Sequence, residues 1–178
     1  MNDAILVPPV SARDHIEGNE SALVTLVEYA DYQCPYCGSV FPVIKQLQKS
    51  LGKKLRFVFR NFPLTQSHPY ALIAAEAAEA AALQGKFWQM HKLLFENQEE
   101  LEPDVLPSWA ESIGVDINQF ATAIKDRRVR KRIEDDYASG VQSGVEGTPS
   151  FFINGMPFDG DDDFESLHAL LLEVASRV

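Results

Sequence analysis

The two cysteines of the 178-residue chain, Cys34 and Cys37, have only Pro35 and Tyr36 between them. A disulfide between residues so close closes no long loop, so the pair is not a structural framework. A thiolate attacks a disulfide through a mixed-disulfide intermediate, which a second thiol nearby can resolve. The spacing therefore predicts thiol chemistry, with Cys34 as the nucleophile and Cys37 as the resolving thiol.

The residues around this pair predict a helix N-terminus. The run from Leu23 to Tyr29 is apolar and β-branched, as in a buried strand, and apolar residues then recur with helical spacing from Cys37 to Leu51, where Gly52 is the expected C-cap. Unpaired N–H groups and the helix dipole favour a thiolate at such an end. We therefore expect Cys34 to be exposed, with a pKa between about 3.5 and 7.5.

Pro35 and Tyr36 are expected to adjust the redox properties of the pair. Proline is tolerated at an early helical position, where its missing N–H costs little, and its ring stiffens the dithiol loop. Tyr36 is the variable residue that tunes the redox balance. Two other interpretations stay open: half of a zinc site, and two small buried apolar side chains. For zinc, the sequence has no second Cys-X-X-Cys motif.

The rest of the chain completes an α/β pattern. Leu55 to Phe59 is strand-like, so the order strand, helix, strand predicts a βαβ unit with parallel strands. Helical spacing then extends over five segments, of which the last three begin near an Asp suited to capping. These segments are Tyr70–Leu83, Phe87–Phe95, Asp104–Ile113, Asp116–Ile124 and Asp126–Ser139.

Strand signals return near the C-terminus. Ser150 to Ile153 is predicted to be a strand, Asn154-Gly155 a hairpin turn, and Met156 to Phe158 a short return strand. Asp161 to Asp163 is expected to cap a final amphipathic helix. Its predicted inward residues are Leu167, Leu170, Leu171 and Val174.

Composition argues against several classes of function. The formal net charge of −10 disfavours a nucleic-acid partner, because such binding depends on Lys and Arg. The one basic cluster, Lys125 to Arg132, has acidic neighbours and predicts a solvated helix face. No apolar run is long enough to span a membrane. Met1 to Val10 lacks the pattern of a secretory signal, which predicts a cytoplasmic protein; the alternative is a periplasmic or other extracytoplasmic location, with an export signal or anchor removed.

Motifs along nearly the whole chain resemble the DsbA-like branch of the thioredoxin superfamily. They are Asp14-His15 with Gly18, Val24 to Tyr29, Asp31 to Cys37, Arg60 to Pro63, and Gly147 to Phe151. The resemblance implies an α/β, thioredoxin-like fold with an inserted α-helical domain. The expected division is 1–64 for the first half of the thioredoxin-like domain, 65–144 for the insertion and 145–178 for the second half.

The resemblance also implies roles for single residues. Pro149 would be cis beside Cys34, with the backbone of Thr148 pairing with a substrate strand; the residues alone favour a trans proline at a strand edge. Glu28 matches a buried acid that assists proton transfer at the resolving thiol, and its pKa would be raised by desolvation. The alternative is a Glu at a strand edge that faces solvent. Pro42 resembles the kink proline of the active-site helix.

The resemblance implies a thiol-disulfide oxidoreductase that acts on protein thiols and disulfides, with an unidentified redox partner and neither cofactor nor metal. Tyr36 stands where strongly oxidising members carry His, so oxidase, reductase and isomerase stay open. The alternatives are a glutathione-dependent thiol transferase on the same fold and a non-catalytic metal-binding or chaperone-like module. Three phenylalanines could shape an apolar substrate groove, but core packing is expected for each. They are Phe41, Phe62 and Phe151.

Overall fold

A single sheet of five strands organises residues 5–160 and 164–177, which the computed structural model describes. The strands lie in the order β1-β3-β2-β4-β5. Their bounds are β1 His15–Gly18, β2 Val24–Ala30, β3 Leu55–Asn61, β4 Ser150–Ile153 and β5 Met156–Pro157. The helices of the same residues are α1 Pro35–Leu51, α2 Ala71–Ala82, α3 Phe87–Glu96, α4 Leu106–Ser112, α5 Ile117–Ala123, α6 Arg127–Gln142 and α7 Phe164–Ser176.

The central strand β2 pairs in parallel with β3 and antiparallel with β4. Helix α1 connects β2 to β3, which confirms the predicted parallel βαβ unit. Every residue of β2 is buried, because apolar clusters cover both faces of the sheet. Val24 and Leu26 pack on the side of α1, whereas Val27 and Tyr29 pack on the opposite side. Alternate residues of β2 therefore point toward or away from the helix that carries the cysteines.

One strand and one strand boundary differ from the predictions. The polar lead-in contains β1, which pairs antiparallel with β3 at the edge of the sheet; its four residues, with a single large apolar side chain, are too few to give a clear strand signal. Strand β3 continues past Phe59 to Asn61. Arg60 and Asn61 are polar but buried, because carboxylates from distant segments bind their side chains. Local hydropathy carries no signal for either feature.

The helices between β3 and β4 follow the predicted segments closely. The expected caps Asp116 and Asp126 accept hydrogen bonds from the backbone N–H groups of Gln119 and Arg128, both at 2.8 Å. The expectation for Asp104 is wrong: it lies in a 3₁₀ turn, Pro103–Val105, and α4 begins afterwards without a side-chain cap. The domain boundaries at 64 and 144 stay a prediction.

The last helix, α7, packs with a narrower face than predicted. Leu167, Leu171 and Ala175 are buried, one turn apart, whereas Leu170 lies on the flank and is 36% exposed. The prediction of Leu170 as an inward residue is therefore wrong, and Val174 is half-buried. The expected cap, Asp161 to Asp163, lies outside the described residues. Within the described ranges, no helix has the length and apolar character needed to cross a bilayer.

Candidate active site

Cys34 is the N-cap residue of α1, and Pro35 occupies the first helical position. The Cys34 N–H donates to the carbonyl of Asp31 at 3.1 Å, and the Cys34 carbonyl accepts the N–H of Gly38 at 3.1 Å. Cys37, the third residue of α1, is fully buried, and both cysteines are free thiols. The structure thus confirms that the pair lies at a helix N-terminus.

The Cys34 side chain is less accessible than expected. The residue is only 4% exposed, because its sulfur lies 3.5 Å from the carbonyl oxygen of Thr148, to which the thiol donates. The expectation of an exposed nucleophile is therefore wrong in degree, since the neighbouring loop covers most of the sulfur. Pro35 is exposed, and Tyr36 is the most exposed large apolar side chain of the described residues, at 69%.

The two thiols differ sharply in acidity. A hydrogen bond from Cys37 is the largest cause that lowers the pKa of Cys34, to about 5, and the backbone N–H groups of Tyr36 and Cys37 act in the same direction against burial. The Thr148 hydroxyl also lowers this pKa, although it makes no hydrogen bond of standard geometry with a described residue. Burial raises the pKa of Cys37 well above its ordinary value, followed by its hydrogen bond to Cys34 and the charge of Glu28.

The segment that covers Cys34 enters the sheet as β4. The peptide bond between Thr148 and Pro149 is cis. Strand β4 starts at Ser150, which pairs with Tyr29 near the end of β2, and α1 begins shortly after β2. The antiparallel pairing of β4 with β2 therefore brings Thr148 to the cysteines, although more than a hundred residues separate them in sequence.

Glu28 lies beneath the cysteines on the α1 side of the sheet. It is 3% exposed, and its Oε1 has no hydrogen-bond partner within the described residues. The pKa of Glu28 is raised to about 8, mainly by burial and then by the negative charge of Cys34, against the positive charge of Lys45. The structure thus contradicts the alternative of a solvent-facing Glu at a strand edge.

The loop before Cys34 is held by a buried carboxylate that sequence reasoning did not single out. Asp31 accepts hydrogen bonds from the N–H of Gln33 at 2.7 Å and the N–H of Leu64 at 2.9 Å, and its Oδ2 lies 2.7 Å from Nδ1 of His68. Gln33 in turn accepts the N–H of Tyr70 at 2.7 Å. Leu64, His68 and Tyr70 are distant in sequence from the residues that they bind, so only the fold reveals these contacts.

The remaining candidates behave as core or helix residues. Phe41, Phe62 and Phe151 are buried, as the core interpretation expects, and Pro42 lies inside α1. Within the part of the chain that the structure describes, no three His, Cys, Asp or Glu side chains are grouped to hold a metal ion.

The chain matches a protein-family model described as Thioredoxin over residues 11–173. Among curated relatives, the Na(+)/H(+) antiporter NhaA 3 of Salinispora tropica is 45% identical over 168 residues, which are 94% of this chain and 26% of the relative. NhaA 1 of Mycobacterium sp. (strain KMS) is 41% identical over 165 residues, 91% of this chain and 27% of the relative. The chain spans about a quarter of the length of these curated relatives.

Solved structures give the same fold. The thiol-disulfide exchange protein alpha-DsbA2 from Wolbachia pipientis has a TM-score of 0.80 at 26% identity and covers 92% of this chain and 88% of its own. BdbD from Bacillus subtilis, in its oxidised form, has a TM-score of 0.84 at 22% identity, with coverage of 98% and 100%. These matches confirm the prediction of an α/β, thioredoxin-like fold of the DsbA type.

Proposed function

Because the chain belongs to the thioredoxin family, in its DsbA-like branch, we propose that it exchanges disulfides with protein substrates through Cys34 and Cys37. One observation carries this proposal: a thiol with a pKa of about 5 lies at a helix N-terminus, within hydrogen-bond distance of a second thiol and of the Thr148 carbonyl. A thiolate populated at neutral pH is the reactive species in thiol-disulfide exchange.

In the first step, the Cys34 thiolate attacks one sulfur of a substrate disulfide. A bond forms between Cys34 and that sulfur, and the other substrate sulfur leaves as a thiolate that then takes a proton. The cis segment supports this step because the backbone of Thr148 lies against the Cys34 sulfur, where an extended substrate can pair with it. The exposed ring of Tyr36 borders the same approach.

In the second step, Cys37 attacks Cys34 and releases the reduced substrate. Cys37 is a protonated thiol at neutral pH because its pKa is raised, so it must first lose its proton. Glu28 is the proposed acceptor. The negative charge of Cys34 raises the pKa of Glu28, and that charge disappears when Cys34 enters the mixed disulfide. Glu28 then releases its own proton to solvent more easily, and the resulting carboxylate accepts the proton of Cys37.

The low pKa of Cys34 favours the oxidising direction, in which the two steps run in reverse. A substrate thiolate attacks Cys34 of the protein disulfide, Cys37 leaves and takes a proton, and a second substrate thiol then displaces the Cys34 thiolate. Whatever stabilises the Cys34 thiolate stabilises the reduced protein relative to the disulfide, which raises the reduction potential. We therefore expect a potential above the value of about −270 mV typical of thioredoxin. Equilibration with glutathione buffers measures it, and a value at or below that of thioredoxin would contradict an oxidase. Protein substrates, an unidentified redox partner and a cytoplasmic location belong to the proposal; an extracytoplasmic location is the alternative.

Single-cysteine variants test the proposal directly. With a disulfide-containing peptide as substrate, Cys34→Ser is expected to abolish exchange, and Cys37→Ser is expected to trap a mixed disulfide that mass spectrometry detects. Full turnover by Cys37→Ser with glutathione would favour the glutathione-dependent transferase instead. Retained function in Cys34→Ser, or stoichiometric zinc in the purified protein, would favour a non-catalytic module.

A further inference from the structure

Gln98, which follows α3, binds the backbone of the dithiol loop, the turn from Tyr32 to Cys34 that precedes α1. Its Nε2 donates one hydrogen bond to the Tyr32 carbonyl and one to the Cys34 carbonyl, both at 2.8 Å. The two acceptors flank the turn that delivers Cys34 to the N-terminus of α1. One side-chain amide therefore spans this turn, and it belongs to the short 3₁₀ helix Gln98–Glu100 after α3.

Gly38 makes room for this amide. A methyl group on Gly38 would overlap with Oε1 of Gln98 and would lie 3.0 Å from its Cδ. Gly38 has no positive φ, so backbone conformation does not require glycine there. Its small size is required because the Gln98 side chain lies directly over it.

The end of α3 fixes where Gln98 starts. The Asn97 side-chain amide donates to the Leu93 carbonyl at 2.9 Å, and the Asn97 N–H donates to the same oxygen at 3.1 Å. These bonds close the last turn of α3 and set the direction in which the chain leaves it. The end of α3 thus sets the position of the Gln98 amide, and through its two hydrogen bonds this amide positions the turn before α1.

We propose that Gln98 is a positioning residue of the dithiol: by binding the Tyr32 and Cys34 carbonyls, it holds the turn so that the N-terminus of α1 faces the Cys34 sulfur. The inference deepens the proposed function and rests on it. The Cys34 carbonyl also accepts the N–H of Gly38, so Gln98 shares an acceptor with the first turn of α1. By holding this turn, Gln98 keeps the backbone N–H groups of Tyr36 and Cys37 directed at the Cys34 sulfur, which favours its thiolate.

Other ionisable groups near the sulfur do not replace this contact. Among the described residues, Cys37 on α1 and Glu28 on β2 are the titratable side chains that interact with Cys34. Glu99 and Glu100, next to Gln98, are exposed to solvent. The effect of Gln98 is therefore separable from that of the buried acid by substitution.

Substitution of Gln98 provides the test. In Gln98→Leu, we expect the pKa of Cys34, measured by thiolate absorbance, to rise by about half a unit to one unit. The equilibrium with glutathione is expected to shift toward the protein disulfide by up to about tenfold. Gln98→Glu, which keeps the shape but faces the carbonyls with a carboxylate, should raise the pKa of Cys34 further.

Gln84 offers a matched control. Its side chain also makes two backbone hydrogen bonds, to the carbonyl and from the N–H of Asp116, and neither bond involves the dithiol loop. Gln84→Leu should lose comparable bonding without changing the pKa of Cys34. If the Gln98 variants leave this pKa unchanged, or if Gln84→Leu changes it equally, the inference is wrong.

Gly38→Ala tests the same contact from the other side. Alanine favours the helix over glycine, so the fold should be kept. The added methyl group displaces the flexible Gln98 side chain, and we expect the same rise in the pKa of Cys34 as in Gln98→Leu, with no further rise in the double variant. Additive shifts would contradict the inference. The pKa of Cys34 and the exchange rate of the wild type test the proposed function separately, because the inference on Gln98 depends only on differences between variants and the wild type.

Discussion

Two buried glutamates in this protein have opposite electrostatic environments. Glu28 on β2 has an oxygen without a hydrogen-bond partner in the described residues, and burial raises its pKa to about 8. Glu79 on α2 is equally buried, but Nε2 of His15 lies 2.9 Å from its Oε1 and Asn61 donates to the same oxygen at 2.8 Å. Burial alone would raise the pKa of Glu79, yet these partners and the charge of Arg132 lower it.

The difference separates a structural carboxylate from a reactive one. Glu79 joins β1, β3 and α2 through its partners, so its charged form stabilises the fold. Among the described residues, no side chain or backbone group binds Oε1 of Glu28, which lies beside a thiol that changes charge during the proposed reaction. A buried acid whose charge is not compensated holds its proton near neutral pH, which suits a group that must transfer it.

The largest expected effect comes from removing the compensated acid. Glu79→Ala leaves one N–H of the Asn61 amide and the His15 ring without their buried acceptor, so the free energy of unfolding should fall by about 3–5 kcal/mol in urea denaturation. The pKa of Cys34 should stay unchanged in the folded fraction.

Glu76→Ala on the same helix is the matched control. Glu76 pairs with Arg130, whose side chain is half-exposed, so its loss should cost only about 1 kcal/mol. Glu76 is itself buried, so equal losses in the two variants would contradict a special role for the buried partners of Glu79.

Removing the uncompensated acid, Glu28, should change the pH dependence of stability and the rate of the proposed reaction. Between pH 4.5 and about 8, Glu28 keeps its proton in the folded state and loses it in the unfolded state, so rising pH lowers the free energy of unfolding by up to about 1.4 kcal/mol per unit. Glu28→Gln should remove this component of the pH dependence and slow resolution of the mixed disulfide by about a hundredfold. Urea titrations across this range and stopped-flow kinetics measure the two effects.

Glu20→Gln is the control for Glu28→Gln, because it removes one negative charge from an exposed position. Glu20→Gln should change neither the slope of the free energy of unfolding against pH nor the rate at which the mixed disulfide is resolved. A Glu28→Gln variant that resolves mixed disulfides at the wild-type rate would exclude Glu28 as the proton acceptor.

The electrostatic environment of Asp136 on α6 is intermediate between those of Glu28 and Glu79, and its substitution is expected to have the smallest effect on stability. Burial raises its pKa to about 6, although the charge of Arg132 and hydrogen bonds from Asn61 oppose the rise. The free energy of unfolding should therefore fall as pH increases from about 4 to about 6, and Asp136→Asn should flatten that part of the curve. An unchanged curve would mean that Asp136 is compensated as fully as Glu79.

Much of the fold follows from local patterns. The parallel βαβ unit, the helical segments and the Asn154-Gly155 turn were predicted because hydrophobic periodicity and turn chemistry act over a few residues. Three features were not predicted, because each depends on which distant surface a segment meets. They are strand β1, the exposure of Leu170 and the missing cap at Asp104.

For the site, the sequence by itself determined the chemistry: two thiols within one helical turn, a proline at the start of that helix, and an acid on the preceding strand. Only the tertiary structure decided the environment. The Thr148 carbonyl that covers Cys34, the burial of Glu28 and the Gln98 contacts join residues far apart in sequence. The acidity of a side chain depends on the charges, donors and solvent around it in space, and the folded chain alone brings these together.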